Sequence, residues 1–265
     1  MNFGICTACF TTLISIADCG AKWYCPAILT RGVSLLSSEV IKLLSYWASL
    51  GGGENIPERA ALDLRQLTSI LPWMFILEMG DDGSLRYRLA GSSLEEAVGR
   101  GMAGRTYAEI FSDHEQAAIM EELYAVALVQ SCGVLRTGSL SFDEKERFAM
   151  EVLALPFVEA RAMGGIVLVG VVRPFDVDNM DFVDRWGGFR QELSEILVVP
   201  SPRVMAEAQL SDRVRKALDM LSVKVRALDV DKLLEIDRKG GVPGLMGLPS
   251  MELDGLSGHQ RHLLN

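Results

Sequence analysis

The sequence predicts an α+β fold, an antiparallel sheet of about five strands with short helices on one side and flanking N- and C-terminal helices. The elements between Leu62 and Phe175 read in the order strand, strand, helices, strand, strand, strand. The last three strand-like runs are joined by loops far shorter than a parallel crossover requires. In Leu85-Arg86-Tyr87-Arg88-Leu89 strict alternation marks a half-buried strand, with Leu85, Tyr87 and Leu89 inward and Arg86 and Arg88 in solvent.

The first element is a helix that Ser37 or Ser38 starts, with Glu39 in its first turn and Val40, Ile41, Leu44, Trp47 and Ala48 as its apolar stripe. Gly51-Gly52-Gly53 ends it, and Glu54 to Arg59, with Pro57, is a linker. Asp63 caps a short helix running through Ile70, which Pro72 closes. The strands Trp73 to Met79 and Leu85 to Ala90 flank the turn Gly80-Asp81-Asp82-Gly83. Ser92 or Ser93 caps a short helix carrying Leu94 and Val98, and a turn from Gly99 to Gly104 leads to Tyr107, Ile110 and Phe111. Asp113 caps a longer helix with Ile119, Leu123, Val126 and Ala127 on one face, which stops near Cys132-Gly133.

Three β-rich runs follow, Val134 to Phe142, Arg147 to Val158 and Gly165 to Val172, joined by Asp143-Glu144-Lys145 and Arg161-Ala162-Met163-Gly164 as hairpin loops. Beyond Pro174 the pattern changes to an Asp- and Gly-rich helix, then Val199-Pro200-Ser201-Pro202, then a long helix from Val204 to about Leu228. In that helix Val214, Leu218, Leu221, Val225 and Leu228 follow the 4-3 rhythm of a coiled-coil seam, which fits self-association as well as packing on the sheet or on the Val40 to Trp47 helix. The chain thus divides into a flexible or misassigned leader (1–36), an α+β domain with its N-terminal helix (37–175), a helical C-terminal extension (176–235) and a Gly- and Pro-broken disordered tail (236–265).

Composition excludes several classes. At 265 residues with 49% apolar and 23% charged residues the chain can bury a substantial core and is too apolar to be disordered throughout. A net charge of −9 opposes the phosphate-neutralising surface of a nucleic-acid binder, so no nucleic-acid partner is expected. The apolar window Ile5 to Ala17 is short for a membrane span, and Met1 to Cys9 lacks the basic residues of a signal peptide. A cytoplasmic location without membrane contact is the expectation. Cys6 and Cys9 have the spacing of two metal thiolates, but Cys19 and Cys25 do not repeat it and no histidine lies near, so no metal site is assigned.

Gly99-Arg100-Gly101-Met102-Ala103-Gly104 satisfies GxGxxG literally. A dinucleotide fingerprint sits between a strand and a helix of a βαβ unit, whereas these glycines follow a short helix, so they are read as tight turns. Neither HExxH, GxSxG nor a phosphate-binding loop is present, His259 and His262 fall in the tail, and Glu95-Glu96 and Glu121-Glu122 are adjacent acids pointing apart on helices. No catalytic residue is assigned, and the chain is not expected to be an enzyme.

The run Leu71-Pro72-Trp73-Met74-Phe75-Ile76-Leu77, then Tyr87-Arg88-Leu89-Ala90-Gly91, then Gly99-Arg100 and Gly104, resembles a PAS domain, and in particular the small single-PAS proteins widespread in alphaproteobacteria. The lead-in helix with Tyr46-Trp47, followed by Pro57, is similar to that family too. The resemblance covers about Ser38 to Phe175 and implies a bacterial, cytoplasmic sensory or regulatory module whose sheet and helices wall a cavity.

On that reading the cavity lining is Phe75, Leu77, Tyr87, Leu89, Phe111, His114, Ile119, Leu123, Met150, Val152 and Leu168. His114 would be the axial ligand of a haem, although Asp113 and Glu115 beside it at a helix start favour an exposed position. Cys132, at a helix end, is poorly placed for flavin chemistry. The cofactor is therefore unknown, with none the expectation, and a small apolar ligand held by these residues is the alternative. The function expected is signal transduction by protein–protein interaction, with a protein partner or as a homodimer. A haem- or other cofactor-binding sensor is the alternative, and a transcription regulator using the C-terminal helix is the least favoured.

Overall fold

Ser37 accepts the amide of Val40 on its hydroxyl and so caps α1 (Ser38–Ser49), which buries Val40, Ile41, Leu43, Leu44, Tyr46 and Trp47 along one face. The computed structural model describes residues 36–52, 54–111, 113–141, 147–162, 165–174, 190–200, 210–239 and 250–251. The leader 1–36, apart from its last residue, lies outside the described residues, as do the hairpin loop 142–146 and most of the tail.

The helix expected from Asp63 to Ile70 is instead a 3-10 turn, Leu64–Leu67. Asp63 Oδ1 accepts the amide of Arg65 two residues on, which favours a tight turn over an α-helical start. A second 3-10 turn, Leu71–Trp73, carries Pro72 and delivers the chain into the sheet.

The strands are β1 (Met74–Met79), β2 (Leu85–Ala90), β3 (Gly133–Ser141), β4 (Arg147–Val158), β5 (Ile166–Pro174), β6 (Arg190–Val199), β7 (Lys224–Leu228) and the two-residue β8 (Ser250–Met251). The further helices are α2 (Ser92–Val98), α3 (His114–Gln130), α4 (Asp212–Met220) and α5 (Val230–Arg238). All strands join one sheet in the order β2-β1-β5-β4-β3-β6-β7-β8. The five expected strands are all present and mutually antiparallel.

The expectation of five strands falls short, because among the described residues the sheet has seven strands plus the two residues of β8. It is also mixed, since β6 and β7 run parallel with α4 between them. The segment Arg190–Val199, expected within a helix, pairs along the whole of β3. Its Glu192 to Glu195 stretch suits either period, but Ile196, Val198 and Val199 are β-branched and cover an edge that would otherwise stay open.

The long helix from Val204 to Leu228 is likewise overturned over its described part. Ser222 takes a positive φ of 56° just after α4, and the chain turns back as β7. The 4-3 rhythm is therefore no seam: Val214 and Leu218 are buried, Leu221 is 47% exposed, and Leu228 lies on the opposite side of the sheet. Among its described residues the extension 176–235 is helical only in α4 and in α5 as far as residue 235, and carries the strands β6 and β7.

Both sheet faces are covered. One carries α2, α3 and α4 over Phe75, Leu77, Met150, Val152 and Leu168. The other carries α1 and α5 over Leu135, Leu153, Leu155, Val167 and Val169. Each of these large side chains contributes about 1.5–3 kcal/mol by leaving water.

Candidate functional site

The site is assembled on the sheet face beneath α3. The β1–β2 pairing carries a bulge: Ile76 faces Leu89, Leu77 faces Tyr87, and Arg88 is the extra residue. One inserted residue flips the phase of a strand, so Leu85 and Tyr87 point inward while Leu89, expected inward, is 46% exposed and Ala90 packs on the core in its stead. Arg88 turns out to Glu78, 3.0 Å away.

The outer edge of β2 is occupied by the segment after α2. The Tyr87 amide donates to the Arg105 carbonyl at 3.0 Å and the Tyr107 amide to the Leu85 carbonyl at 2.7 Å. This pairing needs the chain to reverse twice, and Gly99 (φ 73°) and Gly104 (φ 81°) supply the left-handed backbone that most side chains resist. The GxGxxG stretch is thus a pair of turns, as expected. It places Tyr107 beneath α3.

Five aromatic rings then pack together. Phe75 meets Tyr87 edge-on, with centroids 6.1 Å apart; Tyr87 stacks on Tyr107 at 5.7 Å; and Tyr107 lies 4.7 Å from Phe111 and 5.5 Å, edge-on, from Tyr124 of α3. Phe75 fits because Gly170 faces it on β5, where a Cβ would lie 2.2 Å from the ring.

Arg136 of β3 enters this aromatic group and is 2% exposed. Its Nε donates to the Tyr124 hydroxyl at 2.9 Å, one Nη donates to the Tyr107 hydroxyl at 3.4 Å, and Cζ lies 5.9 Å from the Tyr124 ring centroid. Burial lowers the guanidinium pKa, but the Tyr107 and Tyr124 hydroxyls raise it more, so the net direction is upward and the group stays charged. Burial pushes the Tyr87 and Tyr107 phenols well above their ordinary range, which keeps them neutral.

A recess lined by Tyr107, Phe111, Asp113, Gln116, Ala117 and Met120 has a volume of about 10 Å³, enough for one water and no organic molecule. Gln116 Oε1, buried at this recess, has no partner among the described residues.

Of the expected lining, Phe75, Leu77, Tyr87, Phe111, Ile119, Leu123, Met150, Val152 and Leu168 come together in one buried cluster. Leu89 does not, for the reason given. Nor does His114: it sits exposed on the first turn of α3, because Asp113 caps that helix by accepting the Glu115 and Gln116 amides and directs the next side chain to solvent. An imidazole there is not positioned to ligate an iron inside the domain.

Cys132 is buried, and burial pushes its thiol up to about 12, far from a reactive thiolate. Cys6, Cys9, Cys19, Cys25, His259 and His262 lie outside the described residues. Among the described residues no group of three His, Cys, Asp or Glu is arranged to hold a metal ion, and no helix is long and apolar enough to cross a membrane.

Reasoning from sequence missed two residues. Arg136 shares the inward phase of Val134 in a strand, and a charge at an inward position was a legible signal. Glu151, between Met150 and Val152, points to the opposite face, where only the position of α1 shows it to be buried.

A family model described as PAS domain matches residues 36–172, a little over half of the chain. The match takes in α1 and strands β1 to β5 except the last two residues of β5; β6, α4, β7 and α5 lie beyond it. No curated protein and no solved structure matches the chain.

Proposed function

Since the chain belongs to the PAS domain family, whose members are sensory or regulatory modules, we propose that it regulates without turnover, by contact with a protein partner or a second copy of itself. One observation carries this reading. Beneath α3 the side chains of Phe75, Tyr87, Tyr107, Phe111 and Tyr124 pack against one another around Arg136, and the recess beside Tyr107 and Phe111 has a volume of about 10 Å³. A domain packed in this way has its outer surfaces as its means of communication. The face of the sheet opposite the aromatic cluster is already covered by α1 and α5, so contacts fall on the helices or require α1 to move.

Native mass spectrometry with visible absorbance of freshly purified full-length protein, followed by light scattering across a concentration series and cross-linking in native extract, tests it. The expected mass is that of the bare chain or a whole multiple of it, with no absorbing group and a reproducible cross-linked partner or dimer. A stoichiometric bound small molecule, or a strict monomer that cross-links to nothing, would overturn it.

A further inference from the structure

Among the described residues Glu151 of β4 is the only fully buried carboxylate, 0% exposed beneath the first turn of α1. Its Oε2 accepts the backbone amide of Ser37, the N-cap of α1, at 2.9 Å. Its Oε1 has no hydrogen-bond partner among the described residues. This contact joins positions 114 residues apart in sequence and lies where the PAS match begins.

The charges around it are few. From α1 comes Glu39; from β5, directly opposite, comes Arg173, whose Nε lies 3.5 Å from Glu39. From β3, on the other side, comes the uncharged Thr137, and beyond it Glu195 of β6 is paired with Arg226 of β7 at 2.9 Å. Arg173 is thus shared with Glu39, and Glu151 has no ion pair of its own among the described residues. A buried carboxylate with one oxygen unsolvated is costly when ionised and much less so when neutral.

We propose that Glu151 is a proton-operated latch for α1: in its neutral form it seats the start of the helix on the sheet, and in its ionised form it loosens that seat. Burial first, and then the charge of Glu39, raise the carboxyl to about 7 against the pull of the Ser37 hydrogen bonds and Arg173. When α1 lifts, water reaches the carboxyl and it returns to the ordinary glutamate range. Docking therefore takes up a proton, so the helix holds more tightly as pH falls below about 7. Lifting it uncovers Leu153, Leu155, Val167 and Val169, an apolar strip closed to solvent in the docked state.

The test is hydrogen exchange of the full chain, with α1 amides corrected for intrinsic rate and those of β4 and β5 as internal reference. Between about pH 6 and about pH 8, protection of α1 in the unmodified protein is expected to fall about tenfold relative to the reference. In Glu151→Gln it is expected to stay flat. Protection that ignores pH, or a Glu151→Gln protein that keeps the original dependence, would overturn the latch. Should that variant not fold, the Glu151 carboxyl resonance of the unmodified protein decides: a midpoint near 7, lowered by Glu39→Gln, supports the proposal, and an ordinary glutamate midpoint sinks it.

Discussion

Arg136 and Tyr124 hold each other at the centre of the domain: the guanidinium donates to the phenol at 2.9 Å while lying close to the ring face, with Cζ 5.9 Å from its centroid. A strand and a helix are thereby joined by a charged group that has given up its water. Tyr124→Phe keeps the ring and removes only the acceptor. It should lower stability by about 1–3 kcal/mol in urea unfolding, because one donor of a buried cation loses its partner. Tyr107→Phe, at 3.4 Å from the same guanidinium, should cost less.

The bulge at Arg88 makes an unusual prediction for β2. Leu89→Gln should change stability by no more than about 0.5 kcal/mol, since the leucine already stands in water. Leu85→Gln, four residues earlier at a site with no exposure, should cost upwards of about 2 kcal/mol. Thermal unfolding of the two variants side by side settles whether the phase of the strand shifts between them.

Gly170→Ala places a methyl 2.2 Å from the Phe75 ring and 2.6 Å from the Leu153 carbonyl oxygen. The ring could move but the backbone oxygen could not without disturbing the β4–β5 ladder. A loss of about 1–3 kcal/mol is expected, visible as a lower urea midpoint with an unchanged slope.

Global stability should have a maximum in mildly acid solution. The Glu151 carboxyl is raised in the folded chain from the ordinary 4.5 to about 7, so its contribution is fully present below 4.5 and is lost as pH rises through about 7. A displacement of that size corresponds to about 3 kcal/mol. Asp82, held down first by hydrogen bonds from Ser84 and then by Arg86, and Glu109, held down by Thr106, act in the opposite sense, losing their contribution as pH falls below the ordinary carboxylate range. Chemical unfolding across this range should show the alkaline slope vanish in Glu151→Gln and the acid slope persist.

Much of this architecture was legible because local signals agreed. Alternation in the strands, Ser and Asp caps before apolar stripes, and loops too short for crossovers pointed to β1 through β5 and α1 through α3. The rest depended on distant partners. Arg190–Val199 is a strand because the edge of β3 is there to pair with it, and its first half, as far as Glu195, favours neither period. Leu89 alternates perfectly with Tyr87 in sequence, and only the pairing with β1 reveals the inserted residue. Glu151 has the pattern of a solvent-facing strand residue until α1 is laid over it. The aromatic half of the candidate site was in view from the start, whereas the cation that organises it went unread.

The order of strands also has a kinetic side. The β1–β2 and β3–β4–β5 hairpins need only local chain, but the seam between β1 and β5, where Phe75 meets Gly170, joins segments on opposite sides of both α2 and α3. Long-range pairing of this kind is slow to nucleate and tends to be absent from the early parts of the folding barrier. Phe75→Leu should accordingly speed unfolding more than it slows folding in a denaturant chevron. The seam that brings the two halves of the domain together would then be the last to close and the first to part.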